Sequence, residues 1–513
     1  MATSSTTTQY GNSRGGRRTF ANPWLVPLVI AGFIASAILT TIVGDFAKYG
    51  FWAALAAILL GPAFLLVGVL AIREFRRKWA VLRPKLHWWH LLWFLLSAST
   101  LVWRVRDQGA IQENPLDAWA MLRIIPETVV FGWLLVRFTR RRAATAWLKS
   151  LFGGVPGRLT CFALVCITST LWSVFAAWTL FKSLEYMLDL LVLAAVLANV
   201  SDFEDYESLF GWTWTIFGVE LAWVWMQIPL WPGNSFEDGR LKGYFPSTAY
   251  NYVGQSGAIM AIIAVCRLFP VRGAKRENFA FSTALLAFGC ATLIACQTRN
   301  TIAAFAFAVV VVIILTRRTW ILVASAVAGA GAWFLTPLGD MVLTYLQRDQ
   351  SRQAMEEMTG RAELWSFAWQ EFLKHPINGM GAYAAGRFFI MTKLGKDTAS
   401  LHSDWVELLV GVGLLGLIPF VLALGGAWWH LVRSSYDKSL EPAQRQLVLE
   451  AVGVLGVITI HSIFNDELTW HAPLLFLVVL GCAEMLRRRR QAVMVRAPLP
   501  LFAPAVSPGY LNR

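Results

Sequence analysis

The sequence predicts an all-α polytopic membrane protein with about 12–14 transmembrane helices and one large loop outside the membrane. The chain has 513 residues, of which 57% are hydrophobic and only 15% charged. That is too little charge to cover a soluble protein of this size. Apolar runs of about 20 residues recur along the chain, which is the length that spans a bilayer. Since backbone groups in lipid must bond internally, each run is predicted to be a helix.

The predicted spans begin close to the N-terminus. Residues 1–22 are polar and are predicted to be a disordered cytoplasmic tail. The run at 24–43 is long and no small-residue cleavage site follows it, so it is interpreted as a membrane span and not as a signal peptide. The candidate spans are 24–43, 51–72, 88–103, 116–136, 158–180, 184–200, 209–230, 253–268, 280–296, 301–316, 320–337, 404–427, 446–463 and 470–486.

Basic residues set the predicted orientation, because Lys and Arg accumulate in cytoplasmic loops. Basic segments occur at 76–85, 137–142, 272–276, 317–318 and 487–490. Placing them inside puts both termini in the cytoplasm. It also accounts for the net charge of +14 without a nucleic-acid partner. The predicted division is transmembrane helices 1–11 in 23–337, an outer loop at 338–401, helices 12–14 in 402–486, and a basic cytoplasmic tail at 487–513.

The outer loop is too long for a simple turn, and loops of this length tend to be functional. Within it, "TGRAELWSFAWQEFLKHP" predicts an amphipathic helix that begins near Thr359 or Gly360 and stops before Pro376. Trp365 lies at the edge of its apolar face, so the helix is expected to lie against the membrane body. The residues that share this face are Leu364, Ala368 and Phe372.

Several residues that suit phosphate chemistry fall on the outer side. They are Arg240, Lys242, Arg299, Arg361 and His402. A guanidinium group binds phosphate through two parallel hydrogen bonds and keeps its charge. An imidazole can accept a proton from a hydroxyl. Together they indicate group transfer from a phosphate-activated donor.

No carboxylate or histidine cluster with metal-ligand spacing appears on the outer side. Arginine can neutralise a phosphate leaving group in place of a divalent ion. The sequence therefore predicts neither a metal nor a cofactor. The topology gives these residues a shared side, whereas their convergence on one pocket does not follow from spacing.

Each candidate site residue also has a purely structural interpretation. An outer arginine can be a solvated or headgroup contact, His402 an interfacial anchor, and Trp365 a packing residue. Asp404 and Glu407 form a D-x-x-E pattern that fits a helix cap.

Charged residues inside spans are costly and need a reason. Arg123 and Glu127 are spaced to pair with each other, and Asp189 and Glu220 are further candidates. His461 and Asp466, near the outer end of the thirteenth span, could line the same cavity as His402.

Four motifs in this order resemble the O-antigen ligase and polysaccharide polymerase family. They are "QTRNT" (297–301), "TGRAELW" (359–365), "HPINGMG" (375–381) and "HSDWVELLVGVGLLGL" (402–417). The segment "RLKGYFPSTAYN" (240–251) resembles an earlier outer-loop motif of that family. Ser403 stands where the family usually has asparagine, and "FPSTAYN" is a loose version of its counterpart. Both departures bear on the acceptor side more than on the donor side.

The resemblance implies a GT-C-like helical fold in the bacterial inner membrane. It implies inverting, metal-independent transfer of a glycan from undecaprenyl pyrophosphate at the periplasmic face. Arg240, Arg299 and Arg361 would hold the pyrophosphate, and His402 would be the general base. Support is expected from Lys242, Trp365, Asp404, Glu407 and His461.

The favoured function is a polymerase of exopolysaccharide or O-antigen, since "TGRAELW" resembles polymerase members more. The acceptor would then be another lipid-linked glycan, and a chain-length regulator and export machinery would be partners beside the membrane lipids. An O-antigen ligase that transfers to lipid A core is the alternative. A transporter or flippase is a second alternative, although the sequence shows no internal repeat of the kind expected there. A scaffold role would leave the arginines and His402 unexplained.

Overall fold

The computed structural model confirms an all-α polytopic membrane protein. It describes residues 86–103, 117–139, 141–200, 203–231, 233–274, 278–335, 361–395, 400–466 and 474–496, with Arg73, Arg76 and Leu468 as single positions. The predicted spans at 24–43 and 51–72 lie outside the described residues. So does the predicted helix start at Thr359 or Gly360.

Helices dominate the described ranges. They are α1 (Trp88–Ser99), α2 (Ala118–Phe138), α3 (Arg141–Phe152), α4 (Gly154–Thr168), α5 (Ala176–Asn199), α6 (Phe203–Leu230), α7 (Tyr250–Leu268), α8 (Phe279–Cys296), α9 (Arg299–Leu315), α10 (Trp320–Leu335), α11 (Arg361–Lys374), α12 (Asp404–Ser435), α13 (Pro442–Phe464) and α14 (Leu474–Arg496). Between α6 and α7, strands β1 (Phe236–Glu237) and β2 (Arg240–Leu241) form a short antiparallel hairpin. Among these helices, five are long and apolar enough to cross a membrane: α2, α4 with the turn that follows it, α8, α12 and α13.

The centre of the bundle is formed by α7 and α13, which are apolar on nearly all sides, as expected of helices surrounded by others. Small residues let α7 and α8 approach closely: a Cβ on Gly289 would lie 2.6 Å from the carbonyl oxygen of Gly257. In contrast, α2 and α10 leave large apolar side chains exposed, including Val136 and Phe334. These outward faces fit contact with lipid.

Helix α12 is interrupted at Gly413, whose φ of 57° and ψ of −158° are accessible essentially to glycine alone. The turn at 376–381 fills the interruption. Leu414 and Leu415 donate their N–H groups to the carbonyls of Pro376 and Ile377, each at 2.9 Å. In return, Met380 and Gly381 donate to the carbonyls of Val410 and Gly411, each at 2.8 Å. The "HPINGMG" motif therefore replaces the missing helical hydrogen bonds of α12.

The same turn is also bound to the connection between α4 and α5. Val174 donates its N–H to the carbonyl of Met380 at 3.0 Å, and the indole of Trp172 donates to the carbonyl of Asn378 at 3.0 Å. Thr179 donates its hydroxyl to the carbonyl of Ala382 at 2.7 Å. The turn thus joins α12 to the start of α5.

The run of four arginines at 487–490 lies at the opposite end of the bundle. Arg488 reaches the carbonyl of Leu197 at the end of α5 (2.8 Å), and Arg489 reaches Gln444 at the start of α13 (2.5 Å). Arg490 donates to the carbonyl of His430 (2.9 Å) and to Ser434 (2.8 Å) at the end of α12. Arg487 and Arg488 both pair with the buried Glu484. This run therefore fastens the ends of several helices to α14.

One predicted boundary is wrong. Spans at 158–180 and 184–200 placed an interruption near residue 182, whereas the chain turns at 173–175 and α5 runs without a break from Ala176 to Asn199. Charged residues lie at this point of the chain. They are neutralised inside the bundle: Lys182 pairs with Glu185 at 2.5 Å, and Arg123 of α2 lies 3.4 Å from the same carboxylate. The expected pair of Arg123 and Glu127 is part of this larger cluster.

Gly413→Ala should destabilise the protein, because an added Cβ would lie 2.5 Å from the carbonyl oxygen of Ile377 and alanine rarely adopts this backbone conformation. We expect a loss of at least about 1–3 kcal/mol in stability. It is measured as a lower midpoint of thermal unfolding for the purified protein in detergent.

Gly425→Ala on the same helix is the matched control, since a Cβ there meets nothing within 4 Å. Equal melting of the two variants would contradict a structural requirement for glycine at the interruption.

Candidate functional site

His402 lies in the short segment that leads into α12. Its φ of 55° is in the left-handed region, which costs a non-glycine residue about 1–2 kcal/mol. The preceding residue, Leu401, is fixed on both sides: its N–H donates to Glu407 Oε1 at 2.8 Å, and its carbonyl accepts the indole N–H of Trp365 at 2.9 Å. Two side chains from different helices thus hold the backbone that positions His402.

The predicted capping role of Asp404 and Glu407 is wrong. The residue that caps α12 is Ser403, whose hydroxyl accepts the N–H of Val406 at 3.5 Å. Asp404 Oδ2 instead accepts the N–H of Leu468 at 2.9 Å, and Glu407 accepts that of Leu401. Both carboxylates are buried. Because a buried polar group needs hydrogen-bond partners, each binds backbone from a neighbouring segment.

Helix α11 docks against the end of α13 through two motif residues one helical turn apart. Arg361 Nη1 donates to the carbonyl of Phe464 at 2.9 Å, and the Trp365 ring stacks on the Phe464 ring with centroids 6.1 Å apart. As expected from their shared face, Leu364, Ala368 and Phe372 are buried. The spacing of Arg361 and Trp365 therefore presents both to the same side, toward His402.

Arg361 is close enough to His402 to affect its protonation. Burial and the Arg361 guanidinium together lower the pKa of His402 to about 4. The imidazole is therefore neutral at neutral pH. A neutral imidazole has one ring nitrogen available to accept a proton.

Arg240 is the second basic group at this end of the helices. Its guanidinium lies 3.7 Å from the ring centroid of Tyr250, the first residue of α7, and it pairs with Asp238 at 2.9 Å. Tyr250 in turn lies near Arg361. Arg240, Arg361 and His402 are thus linked through consecutive neighbours. Lys242 lies on the same hairpin and pairs with Glu237 at 3.3 Å.

Arg299 begins α9 beside the same hairpin. Gln297 donates its side-chain N–H to the carbonyl of Gly239 at 3.4 Å. Thr298 packs against Gly254, where an added Cβ would lie 2.5 Å from its hydroxyl. These contacts bring the start of α9 against the first turns of α7, next to Tyr250 and to the hairpin that carries Arg240.

His461 lies beneath the site and is fully buried. The amide nitrogen of Asn465 lies 2.7 Å from its Nε2, and the same amide group contacts Asn251 of α7 at 3.1 Å. Asp466, the next residue, interacts electrostatically with Arg361. His461 therefore supports the connection between α7 and α13, and its contacts place it behind the arginines.

Two residues of this region were not predicted. Tyr250 links Arg240 to Arg361, yet in the sequence it is only one aromatic residue at the start of a span. Arg387 lies in the irregular helix Ala385–Ile390 and is buried near Glu407, with which it interacts electrostatically. The signal for Arg387 was an arginine within the otherwise apolar stretch "GAYAAGRFF". Within the described residues, no three His, Cys, Asp or Glu side chains gather as metal ligands.

The fold and these side chains define an all-α membrane protein with a basic, histidine-containing site at one end of its helices. Residues 283–421, from α8 into α12, match a family model described as O-antigen ligase. A search of the curated proteins found no match. Over these residues the chain is similar to the O-antigen ligase and polysaccharide polymerase family, as its motifs predicted. The match supports a membrane protein of the glycosyltransferase type, and the matched family implies a lipid-linked glycan and an acceptor as substrates.

The matched segment contains Arg299, Arg361 and His402. Arg240 and His461 lie outside it and join the site through the contacts of α7 and α13.

Trp365→Phe should reduce glycosyl transfer about 10-fold, because the ring still packs on Phe464 while the hydrogen bond that fixes Leu401 is lost. The measurement is the transfer rate of purified enzyme, with thermal stability recorded alongside. The matched control is Trp369→Phe on the same helix, where the tryptophan is exposed. A normal rate in Trp365→Phe would show that this hydrogen bond does not position His402.

Proposed function

We propose that the protein moves a glycan from undecaprenyl pyrophosphate to a sugar hydroxyl at the periplasmic face, with inversion at the anomeric carbon. The observation that carries the proposal is that Arg240, Tyr250, Arg361 and His402 form a series of neighbours. Arg240 contacts the Tyr250 ring, Tyr250 lies near Arg361, and Arg361 lies near His402. Basic groups that suit a diphosphate thus lie beside a neutral imidazole. Arg299, at the adjacent start of α9, is assigned to the same diphosphate.

In this mechanism the acceptor hydroxyl oxygen attacks the anomeric carbon of the donor sugar. The bond between that carbon and the phosphate oxygen breaks, and the electron pair leaves with the pyrophosphate. The guanidinium groups stabilise the negative charge that develops on the leaving oxygen. His402 takes the hydroxyl proton as general base and releases it after the transfer. The charge on the leaving group needs no metal ion in this scheme.

The low pKa of His402 fits a base that must enter the reaction neutral. Above a pH of about 4 the imidazole is neutral, so one of its ring nitrogens can accept a proton throughout the neutral range. Binding of a diphosphate nearby would raise this pKa and strengthen the base. The two neighbours, guanidinium and diphosphate, therefore act in opposite directions on the same imidazole.

The proposed orientation is supported by the two ends of α12. Its start carries His402, and its end is bound by Arg490 of the arginine run. Because arginine-rich ends face the cytoplasm, the site would face the periplasm.

Polymerase activity is the favoured form of the reaction, with another lipid-linked glycan as acceptor. The wording of "TGRAELW" supports this choice. An O-antigen ligase with lipid A core as acceptor is the second candidate. The family match favours both over a transporter. A chain-length regulator and export machinery are the expected partners of a polymerase.

His402→Ala should abolish transfer in purified enzyme supplied with a lipid-diphosphate glycan. Arg361→Lys should reduce it by at least about 10-fold, because a point charge replaces a fork that binds two oxygens. Arg433→Lys, an exposed arginine near the far end of α12, is the control and should be normal. The readout is product formed per enzyme, with thermal stability measured for each variant.

Full activity in His402→Ala would remove it as the base, and full activity in Arg361→Lys would indicate a solvated role. The same assay with a chelator tests the metal-independent scheme. Inhibition that one divalent ion reverses would overturn that part of the proposal.

Deletion of the gene distinguishes the two acceptors. A polymerase for a secreted polysaccharide should lose that polymer while the lipopolysaccharide ladder stays intact. Loss of the ladder with single repeats still attached to the core would indicate an O-antigen polymerase, and loss of all repeats would indicate the ligase. Both products unchanged would contradict the proposed function.

A further inference from the structure

The loop after β2 has a rigid tip at residues 244–247. Gly243 and Thr248 exchange two backbone hydrogen bonds, at 2.8 and 3.0 Å, which close the loop below the tip. Gln227 of α6 is fully buried and binds the tip three times. Its oxygen accepts the N–H groups of Tyr244 (2.6 Å) and Phe245 (3.1 Å), and its nitrogen donates to the carbonyl of Phe245 (3.1 Å). The tip is therefore fixed by a buried side chain.

Aromatic rings are exposed on this fixed tip and beside it. Tyr244 is 45% exposed and Phe245 38% exposed. The ring of Tyr244 lies 5.7 Å from that of Trp231, which in turn lies 6.3 Å from that of Trp223. The Trp223 indole donates to the carbonyl of Phe245 at 2.7 Å. These rings form a preorganised surface, which we call the aromatic tip: Trp223, Trp231, Tyr244 and Phe245.

The aromatic tip adjoins the arginine of the proposed diphosphate site. Arg240 precedes Tyr244 by four residues, and Tyr250, on which Arg240 stacks, follows the closing residue Thr248 by two. The polar side chains of Glu237, Asp238 and Lys242 lie on the same hairpin and are partly or largely exposed. A ligand whose phosphate reaches Arg240 would extend over flat rings bordered by hydrogen-bonding groups.

We propose that Trp231 and Tyr244 bind sugar rings of the lipid-linked glycan. A pyranose has an apolar C–H face that packs on an aromatic ring, while its hydroxyls need polar partners at the rim. Rings that are fixed before binding lose little conformational freedom, so their contact area contributes more to affinity. This subsite rests on the proposed function, because the diphosphate at Arg240 places the glycan there.

A lipid-interface anchor is the competing role, since tryptophan and tyrosine are common at membrane surfaces. An anchor needs apolar area at the right depth and no particular backbone geometry. The three hydrogen bonds with Gln227 favour the sugar subsite, because they fix the backbone from which the rings of Tyr244 and Phe245 project. Substitution of an aromatic residue by leucine distinguishes the anchor from the sugar subsite, because leucine keeps apolar area and removes the flat ring.

The experiment compares Tyr244→Leu and Trp231→Leu with wild type. Two donors with the same diphosphate lipid carry either a single sugar or a complete repeat of several sugars. We expect the KM for the longer donor to rise about 3- to 10-fold, the equivalent of one aromatic contact, with kcat and the single-sugar donor unchanged. Tyr244→Phe should behave as wild type. Trp429→Leu, an exposed tryptophan in the other half of α12, is the matched control.

Binding of the free repeat oligosaccharide, without lipid or phosphate, is measured by saturation-transfer NMR on the same proteins. Weaker oligosaccharide binding in the leucine variants supports the subsite even if no transfer is observed. The absence of transfer would contradict the proposed function and leave the subsite standing. An unchanged KM for the longer donor with unchanged oligosaccharide binding overturns the subsite. Lower membrane insertion in Tyr244→Leu, with normal KM in the protein recovered, overturns it in favour of the anchor.

Discussion

The structure depends on one requirement: every backbone N–H and C=O inside an apolar bundle must find a partner. The break of α12 at Gly413 would leave several such groups without one. The turn at 376–381 supplies them, and in doing so it ties the segment after α11 to the membrane body. A motif that could be taken for a catalytic loop is thus an architectural element. It fixes the segment after α11 against the helix that follows His402.

In the candidate site, contacts with neighbouring residues hold the arginines in place. Arg361 keeps its guanidinium within reach of His402 while one of its nitrogens binds the carbonyl of Phe464. Arg240 rests on the Tyr250 ring and is held by Asp238. Each arginine therefore has a fixed orientation before any substrate arrives. Preorganised donors cost little rearrangement when negative charge appears in the transition state, which is the condition for strong electrostatic stabilisation.

Much of this was accessible from the sequence, because hydropathy and motif order report the environment of whole segments. The apolar runs predicted the helical membrane fold, and the spacing of Leu364, Ala368 and Phe372 predicted the buried face of α11. Local polar patterns were less reliable. The predicted break near residue 182 was wrong, since a sequence does not show that Lys182 and Arg123 share the carboxylate of Glu185 inside the bundle. The carboxylate of Asp404 suggested a cap, although its partner, Leu468, lies 64 residues away.

The four arginines at 487–490 carry two requirements that differ in kind. The orientation of the helices in the membrane depends on positive charge alone, so lysine would set it equally well. The bonds to Leu197, Gln444 and His430 need planar, branched donors that reach several acceptors at once. Substitution by lysine would thus keep the topology and lose the hydrogen bonds that join the helices. The contacts between helices therefore restrict the residue type in this run more than the sign of its charge does.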